Sequence, residues 1–170
     1  TLFYQNIGFK YIEVPWIVSH DITKITFASK DEKFLTFYGD LVGSAEQSFI
    51  SLTINDNLPK GSYCSLSPCF RQEPKIDNLH LLYFMKVELF KSDEVNEQML
   101  ENTIKHCFNF FQQQISDKDD LELILTNDGY DINLNDVEIG SYGIRKHNEL
   151  EWIYATGLAE PRFSTVKKGV

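Results

Sequence analysis

The stretch "HLLYFMKVELF", residues 80–90, has the make-up of a β-strand whose two faces differ in kind. Side chains alternate across a strand. The odd positions Leu81, Tyr83, Met85, Val87 and Leu89 then form one apolar face, fit to lie on a core. The even positions His80, Leu82, Phe84, Lys86 and Glu88 set a cation, an aromatic ring and a carboxylate side by side. Such a second face either trades salt bridges with its neighbours or receives a ligand.

Upstream, "LPKGSYCSLSPCFRQEP" reads as a strand entered through Lys60-Gly61 and ended at Pro74, with "KIDNL" as the loop between the two strands. Further back, "QNIGFKYIEVP" runs from a helix end through Gly8 into a short extended piece closed by Pro15. Residues 24–38 read as strand, turn, strand, and "LVGSAEQSFISLTI" passes from a Gly-Ser turn into an apolar segment. Downstream the period changes. Leu100, Ile104, Cys107, Phe108, Phe111 and Ile115 recur at three- and four-residue spacing, which predicts an amphipathic helix over 92–115. Ser92 or Asp93 is the expected cap, with Glu94 in the first turn. Then come "LELILT", a turn at "NDGYD", "INLNDVEIGSYGIR", a turn at "KHNE" and "LEWIYATG". Trp152 and Tyr154 share one side of that last strand and are expected in the core. This order is neither repeating βαβ nor evenly spaced strands. It predicts an α+β fold, a mostly antiparallel β-sheet flanked by helices.

The 170 residues suit one domain, and 42% hydrophobic content suits a sizeable core. Net charge is −9, so a dedicated nucleic-acid surface is not expected. No apolar run reaches the ~20 residues of a membrane span. Cys64, Cys69 and Cys107 are an odd, sparse set, read as reduced thiols of an intracellular protein. The start at Thr1 and the stop after "RFSTVKKGV" lead us to expect a fragment.

In "CFRQEP" the strand period puts Arg71 and Glu73 on one face, with Phe70 and Gln72 on the other. Paired with the 80–90 strand, that face would present Arg71, Glu73, Phe84 and Glu88 together. Two readings stand at this point: cross-strand salt bridges around a core Phe, or a site offering a guanidinium to phosphate, a ring to a base and carboxylates to amines.

The order of these segments resembles the catalytic core of class II aminoacyl-tRNA synthetases, most closely the seryl-type subgroup, from about Gly8 to Arg162. "GFKYIEVP" resembles the first motif, which builds the dimer interface. "GSAEQ" sits where seryl- and prolyl-type enzymes have a loop that reads the substrate's amino group. "CFRQEP" with "HLLYF" resembles the second motif, "EIGSYGIR" the strand with a metal- and ATP-binding glutamate, and "ATGLAEPR" the third motif. The resemblance implies ATP and Mg²⁺ as cofactors and activation of a small, serine-like amino acid to an aminoacyl-adenylate. It implies that Arg71 bridges the α-phosphate and the substrate carboxylate, and that Glu73 accepts from the adenine amino group. Phe84 would stack under the ring, His80 stand near the terminal phosphate, and Arg162 contact the γ-phosphate. Glu138 would hold Mg²⁺, and Ser44, Glu46 and Glu88 would bind the amino acid. Arg71 and Arg162 are the implied catalytic residues. Activation needs no protein nucleophile, in keeping with a chain that shows no Ser-His-Asp or Cys-His pattern.

The same resemblance implies a cytoplasmic homodimer that passes the acyl group to tRNA or another carrier. An alternative is a paralogue that binds ATP or an amino acid as a sensor without transfer. The third motif departs from the family pattern: Ala155 stands at its first glycine, where an added methyl is expected to crowd the adenosine. Pro161 is expected in the first turn of a helix opened by Arg162. No cysteine lies in residues 140–157 to complete a zinc site with Cys64 and Cys69.

Overall fold

Alternation along residues 83–91 follows the apolar pattern at its inner end: Val87 and Leu89 go into a core, while Phe84, Lys86 and Glu88 turn to the other side of the sheet. Of the other expected core positions, Tyr83 is exposed and Leu81 precedes the strand. In the computed structural model, which describes residues 1–27 and 33–169, this strand is β6 (Tyr83–Lys91). Its neighbours are β5 (Ser62–Phe70) and β10 (Leu150–Glu160), both antiparallel to it. Outward from β10 follow β9 (Val137–His147), β8 (Gly129–Leu134) and β7 (Leu121–Thr126), and outside β5 lies the short parallel β1 (Lys10–Tyr11). The sheet therefore has seven strands in the order β1-β5-β6-β10-β9-β8-β7. A second sheet of three short strands joins β2 (Ile17–Val18), β4 (Gly39–Leu41) and β3 (Leu35–Thr36).

Helices cover both faces. On one, α4 (Glu97–Gln112) buries Leu100, Ile104, Cys107 and Phe111 against Leu89, Ile132, Ile139, Tyr142 and Ile153. Each such side chain removed from water is worth about 1.5–3 kcal/mol, so this stripe fixes the helix to the sheet. The short α1 (Leu2–Asn6) and α5 (Arg162–Lys167) add Tyr4, Phe163 and Val166 to the same core. On the other face, α3 (Ala45–Ile54) packs Phe49 and Ile50 near Phe90, Trp152 and Tyr154, with α2 (His20–Thr26) alongside. Trp152 and Tyr154 are core residues, as the strand period predicted. No helix among the described residues is long and apolar enough to cross a membrane. All three cysteines are buried free thiols.

Several local expectations change. Residues 24–26 are the last turn of α2 rather than a strand, because Ile22 and Ile25 on one helical face reach the α3 core. Residues 28–32 of that predicted strand–turn–strand lie outside the described residues, and β3 supplies the later strand. The cap of α4 is Asn96, whose side chain accepts from the Met99 N–H, with Glu97 in the first turn. Ser92 and Asp93 are committed elsewhere: Ser92 bonds Gly61, and Asp93 takes Lys91 and the Glu94 N–H. Strand β5 ends at Phe70, four residues before Pro74. "INLNDVEIGSYGIR" is two strands, turned at Asn135-Asp136, both at positive φ as a tight hairpin requires. Pro161 is the N-cap position of α5 rather than part of its first turn. Ala155 is fully buried in the core under α4, so its methyl lies on the opposite face of the sheet from Glu88 and Thr156.

Candidate active-site cleft

Direct partners across an antiparallel sheet lie on one face, so register lists the floor of the cleft. Ser67 faces Lys86 and Ala159, while Ser65 faces Glu88 and Thr156. One step further out, Asp131 is paired with Ser141. Two bulges reshape this floor. An extra residue in β10 at Gly157 brings Ala159 onto the same side as Thr156. An extra residue in β9 at Ile139 places the even-numbered Glu138 on the side of Ser141 and Arg145. Bulges of this kind re-aim side chains next to functional sites.

Above the floor lies an open cleft of about 280 Å³. Of the expected site residues, Ser44, Glu46, Arg71, Phe84, Glu138 and Arg162 line it together, and Glu73 joins them. Arg71 follows the end of β5; its Nε donates to the Gly43 carbonyl at 3.3 Å and its guanidinium lies 5.4 Å from the Phe84 ring centre. Arg71 and Glu73 thus share the cleft, but through a tight turn (Glu73 N–H to the Arg71 carbonyl, 3.1 Å) instead of strand alternation. At the far end, Arg162 opens α5 and is half-buried. It donates to the Leu79 and Glu138 carbonyls and stands 3.8 Å from the Glu138 carboxylate.

Two expected residues are not on the cleft wall. His80 lies in the loop before β6 with Nδ1 2.8 Å from Asp77, whose carboxylate also accepts the Leu79 and His80 N–H groups. Leu79 and Leu81 border the cleft in its place. Glu88 is enclosed beneath the floor, 1% exposed. Ser44 donates to its Oε2, and Lys86 Nζ stands 2.8 Å from the same oxygen. Burial pushes the Glu88 carboxyl up, against the pull of Lys86. Its Oε1 and the hydroxyls of Ser65 and Ser67 have no hydrogen-bond partner among the described residues.

The inner end was less readable. Ser44 caps α3, placing the buried Glu46 in the first turn. Glu46 accepts from Trp152 Nε1 at 2.7 Å and from Arg145 Nη1 at 2.6 Å. Arg145 in turn lies over Tyr154, its guanidinium carbon 3.9 Å from the ring centre. Burial works against the Arg145 charge, and Glu46 more than offsets it, so its pKa moves up. Arg145, Lys86 and Tyr154 also line the cleft, none of them among the expected site residues, and Tyr154 was expected in the core alone. The one available signal for Arg145 was its place at the end of "EIGSYGIR".

For magnesium, Glu138 is the cleft carboxylate nearest Arg162, and its cross-strand partner Asn133 has a buried Oδ1 with no partner among the described residues. Hard oxygens of this kind suit Mg²⁺, which keeps few protein ligands and takes phosphate oxygens for the rest. No cluster of three metal-ligating side chains occurs among the described residues.

The fold is that of class II aminoacyl-tRNA synthetase catalytic cores. Pyrrolysyl tRNA synthetase of Desulfitobacterium hafniense superposes with a TM-score of 0.74 at 16% identity, covering 99% of this chain and 66% of that one. Seryl-tRNA synthetase of Pyrococcus horikoshii, complexed with ATP, gives 0.75 at 17%, covering 97% and 47%. A cytoplasmic serine-tRNA ligase of Naegleria fowleri, in complex with AMP, gives 0.71 at 18%, covering 96% and 45%. The chain thus spans two thirds or less of the length of these structures. No protein-family model matches the chain, and no curated protein matches it in sequence.

Proposed function

We propose that the chain activates an α-amino acid with ATP. The substrate carboxylate oxygen attacks the α-phosphorus, the bond to the β-phosphate bridging oxygen breaks, and pyrophosphate leaves with that electron pair. The observation that carries this reading is the state of Arg71. Lys86, Arg145 and Arg162 each stand within 4.0 Å of a carboxylate, whereas Arg71 pairs with none among the described residues. It is a cleft-lining guanidinium over an aromatic ring, with no carboxylate partner among the described residues, and is ready for an anion.

In this reading Phe84 stacks on the adenine and Glu73 accepts from its amino group. Arg71 bridges the α-phosphate and the attacking carboxylate, where a planar fork stabilises charge as it develops. Arg162 takes the terminal phosphate from the opposite side. Mg²⁺ held by Glu138 would supply further neutralisation of the triphosphate. Glu46, with Ser44 beside it, receives the substrate ammonium: its two oxygens have about four acceptor sites and two are used. Glu88 acts from beneath by holding Lys86 and Ser44. The acyl group then passes to tRNA or to a carrier, and the protein works as a cytoplasmic homodimer.

Amino-acid-dependent exchange of pyrophosphate into ATP, run across the twenty amino acids, tests this. Exchange that Arg71→Ala abolishes is the expected result; exchange that survives Arg71→Ala moves the chemistry elsewhere. One observation favours a second reading, a sensor that binds without reacting: both candidate ammonium-binding carboxylates already hold protein cations. ATP binding with no exchange for any amino acid selects it.

A further inference from the structure

The inner end of the cleft has a charge balance that depends on what binds there. Lys86 and Glu88 neutralise each other, and Lys86 is nearly covered. Arg145 and Glu46 form a second neutral pair, with Glu46 4% exposed and Trp152 donating to it from the core. Resting on the reading above, the substrate α-carboxylate is balanced by Arg71 and its ammonium goes to Glu46. The ammonium then adds a positive charge to a pair that was already neutral. Glu46, Arg145 and the ammonium together carry a net charge of one, in a partly desolvated recess. Such a charge is expensive unless a counter-charge meets it. A serine-like side chain brings none.

Arg145 is placed to receive that counter-charge. Contact with the Tyr154 ring holds it in place, and one N–H group is spent on Glu46. Its other donors make no hydrogen bond within the described protein, and the side chain is 37% exposed. It also stands where the cleft meets a smaller cavity of about 180 Å³, bordered by Thr26, Phe27 and Gln47, which leaves room beside it. Gln47 is not a rival reader: its amide is already bonded to Thr26 and to the Gly43 N–H.

We propose that Arg145 is the specificity-determining residue of this cleft, and that the substrate is an amino acid with a carboxylate side chain. The guanidinium takes the side-chain carboxylate through its unspent donors while remaining attached to Glu46.

The test is pyrophosphate–ATP exchange with aspartate, glutamate, asparagine, glutamine, serine and alanine. An acidic amino acid is expected to exceed the others by at least about tenfold in kcat/KM, since a site built to bond a polar group rejects substrates lacking it. In Arg145→Gln the KM for the acid rises about 100-fold while kcat falls much less, and the KM for serine changes by a clearly smaller factor. Arg145→Lys restores part of the preference. If serine or alanine is the best substrate, or if Arg145→Gln lowers every amino acid equally, the inference falls while the activation reading stands. If nothing exchanges, calorimetry with aspartate and glutamate decides. Binding that is lost in Arg145→Gln and partly kept in Arg145→Lys upholds the inference and sinks activation. No binding of either acid overturns the inference. A thermal melt of each variant separates loss of recognition from loss of fold.

Discussion

Arg71 and Arg145 are both half-covered guanidiniums resting on aromatic rings, yet their chemistry differs because Arg145 has a carboxylate partner and Arg71 has none among the described residues. Arg71→Ala is therefore expected to cut exchange by about 10²–10³-fold, the usual cost of removing a group that meets developing charge. Arg71→Lys should recover little, because a point charge cannot fork between phosphate and carboxylate. Melting curves of both variants should stay near that of the parent. Trp152→Phe removes the donor to Glu46 Oε1 inside the core. Urea unfolding should read a loss of about 1–3 kcal/mol, the cost of a buried acceptor left short. At this scale the sequence was partly legible. Arg71, Glu73 and Phe84 fall close together in two adjoining segments, so their association could be read directly. Arg145 could not be read in this way. What it does depends on Glu46, 99 positions away on a different element. Glu88 and His80 have the residue types expected of a site, but burial beneath Ser44 and Lys86 hides one, and Asp77 holds the other aside.

Elements show why such misreadings arise. The period of two carries a residue's side correctly only while pairing is regular, and both bulges lie at the cleft. Gly157 in the β10 bulge has no space for a side chain: a Cβ there would come within 2.7 Å of the Tyr4 ring. Gly157→Ala is expected to cost about 1–3 kcal/mol by overpacking, measured as a lower urea midpoint. The helix over α4 was legible because its apolar stripe is long, whereas its start was not. Three polar residues precede Asn96, and only tertiary partners decide which one caps. Asn96→Ala should lower stability by about 1 kcal/mol with no change in the denaturant slope. The loop between β5 and β6 is pinned by Asp77, whose carboxyl is drawn down to about 2. The Leu79 N–H contributes most, followed by His80. A depressed carboxyl supports the fold above the ordinary carboxylate range and loses that support as pH falls through its folded value. NMR titration of the Asp77 side chain should find its midpoint near 2, and loop order should decline only below about pH 4. Because Arg162 donates to the Leu79 carbonyl, Asp77→Ala should also weaken ATP binding modestly.

For the whole molecule, strand content, one long helix and the absence of a βαβ rhythm were enough to predict an antiparallel α+β fold. Strand order was not readable: the last strand, β10, sits beside β6 and at the centre of the sheet, a choice made by long-range packing. The sheet ends at β1, two residues long and lying within the segment that resembles a dimer-forming motif. Sedimentation is expected to give a dimer; a monomer at micromolar concentration counts against that assembly. With a net charge of −9, bulk tRNA should bind this chain weakly and lose its hold as salt rises. The buried thiols add a different use. Cys69 lies on the cleft-facing side of β5, directly across from Phe84, and Cys107 lies on the buried face of α4. Burial pushes both thiols up to about 12, so neither offers appreciable thiolate while the protein stays closed. A water-soluble alkylating reagent can then mark them only when the structure opens, and the two sites act as separate clocks for two regions. If ATP stabilises the cleft locally, it should slow the Cys69 clock while Cys107 keeps time with global unfolding.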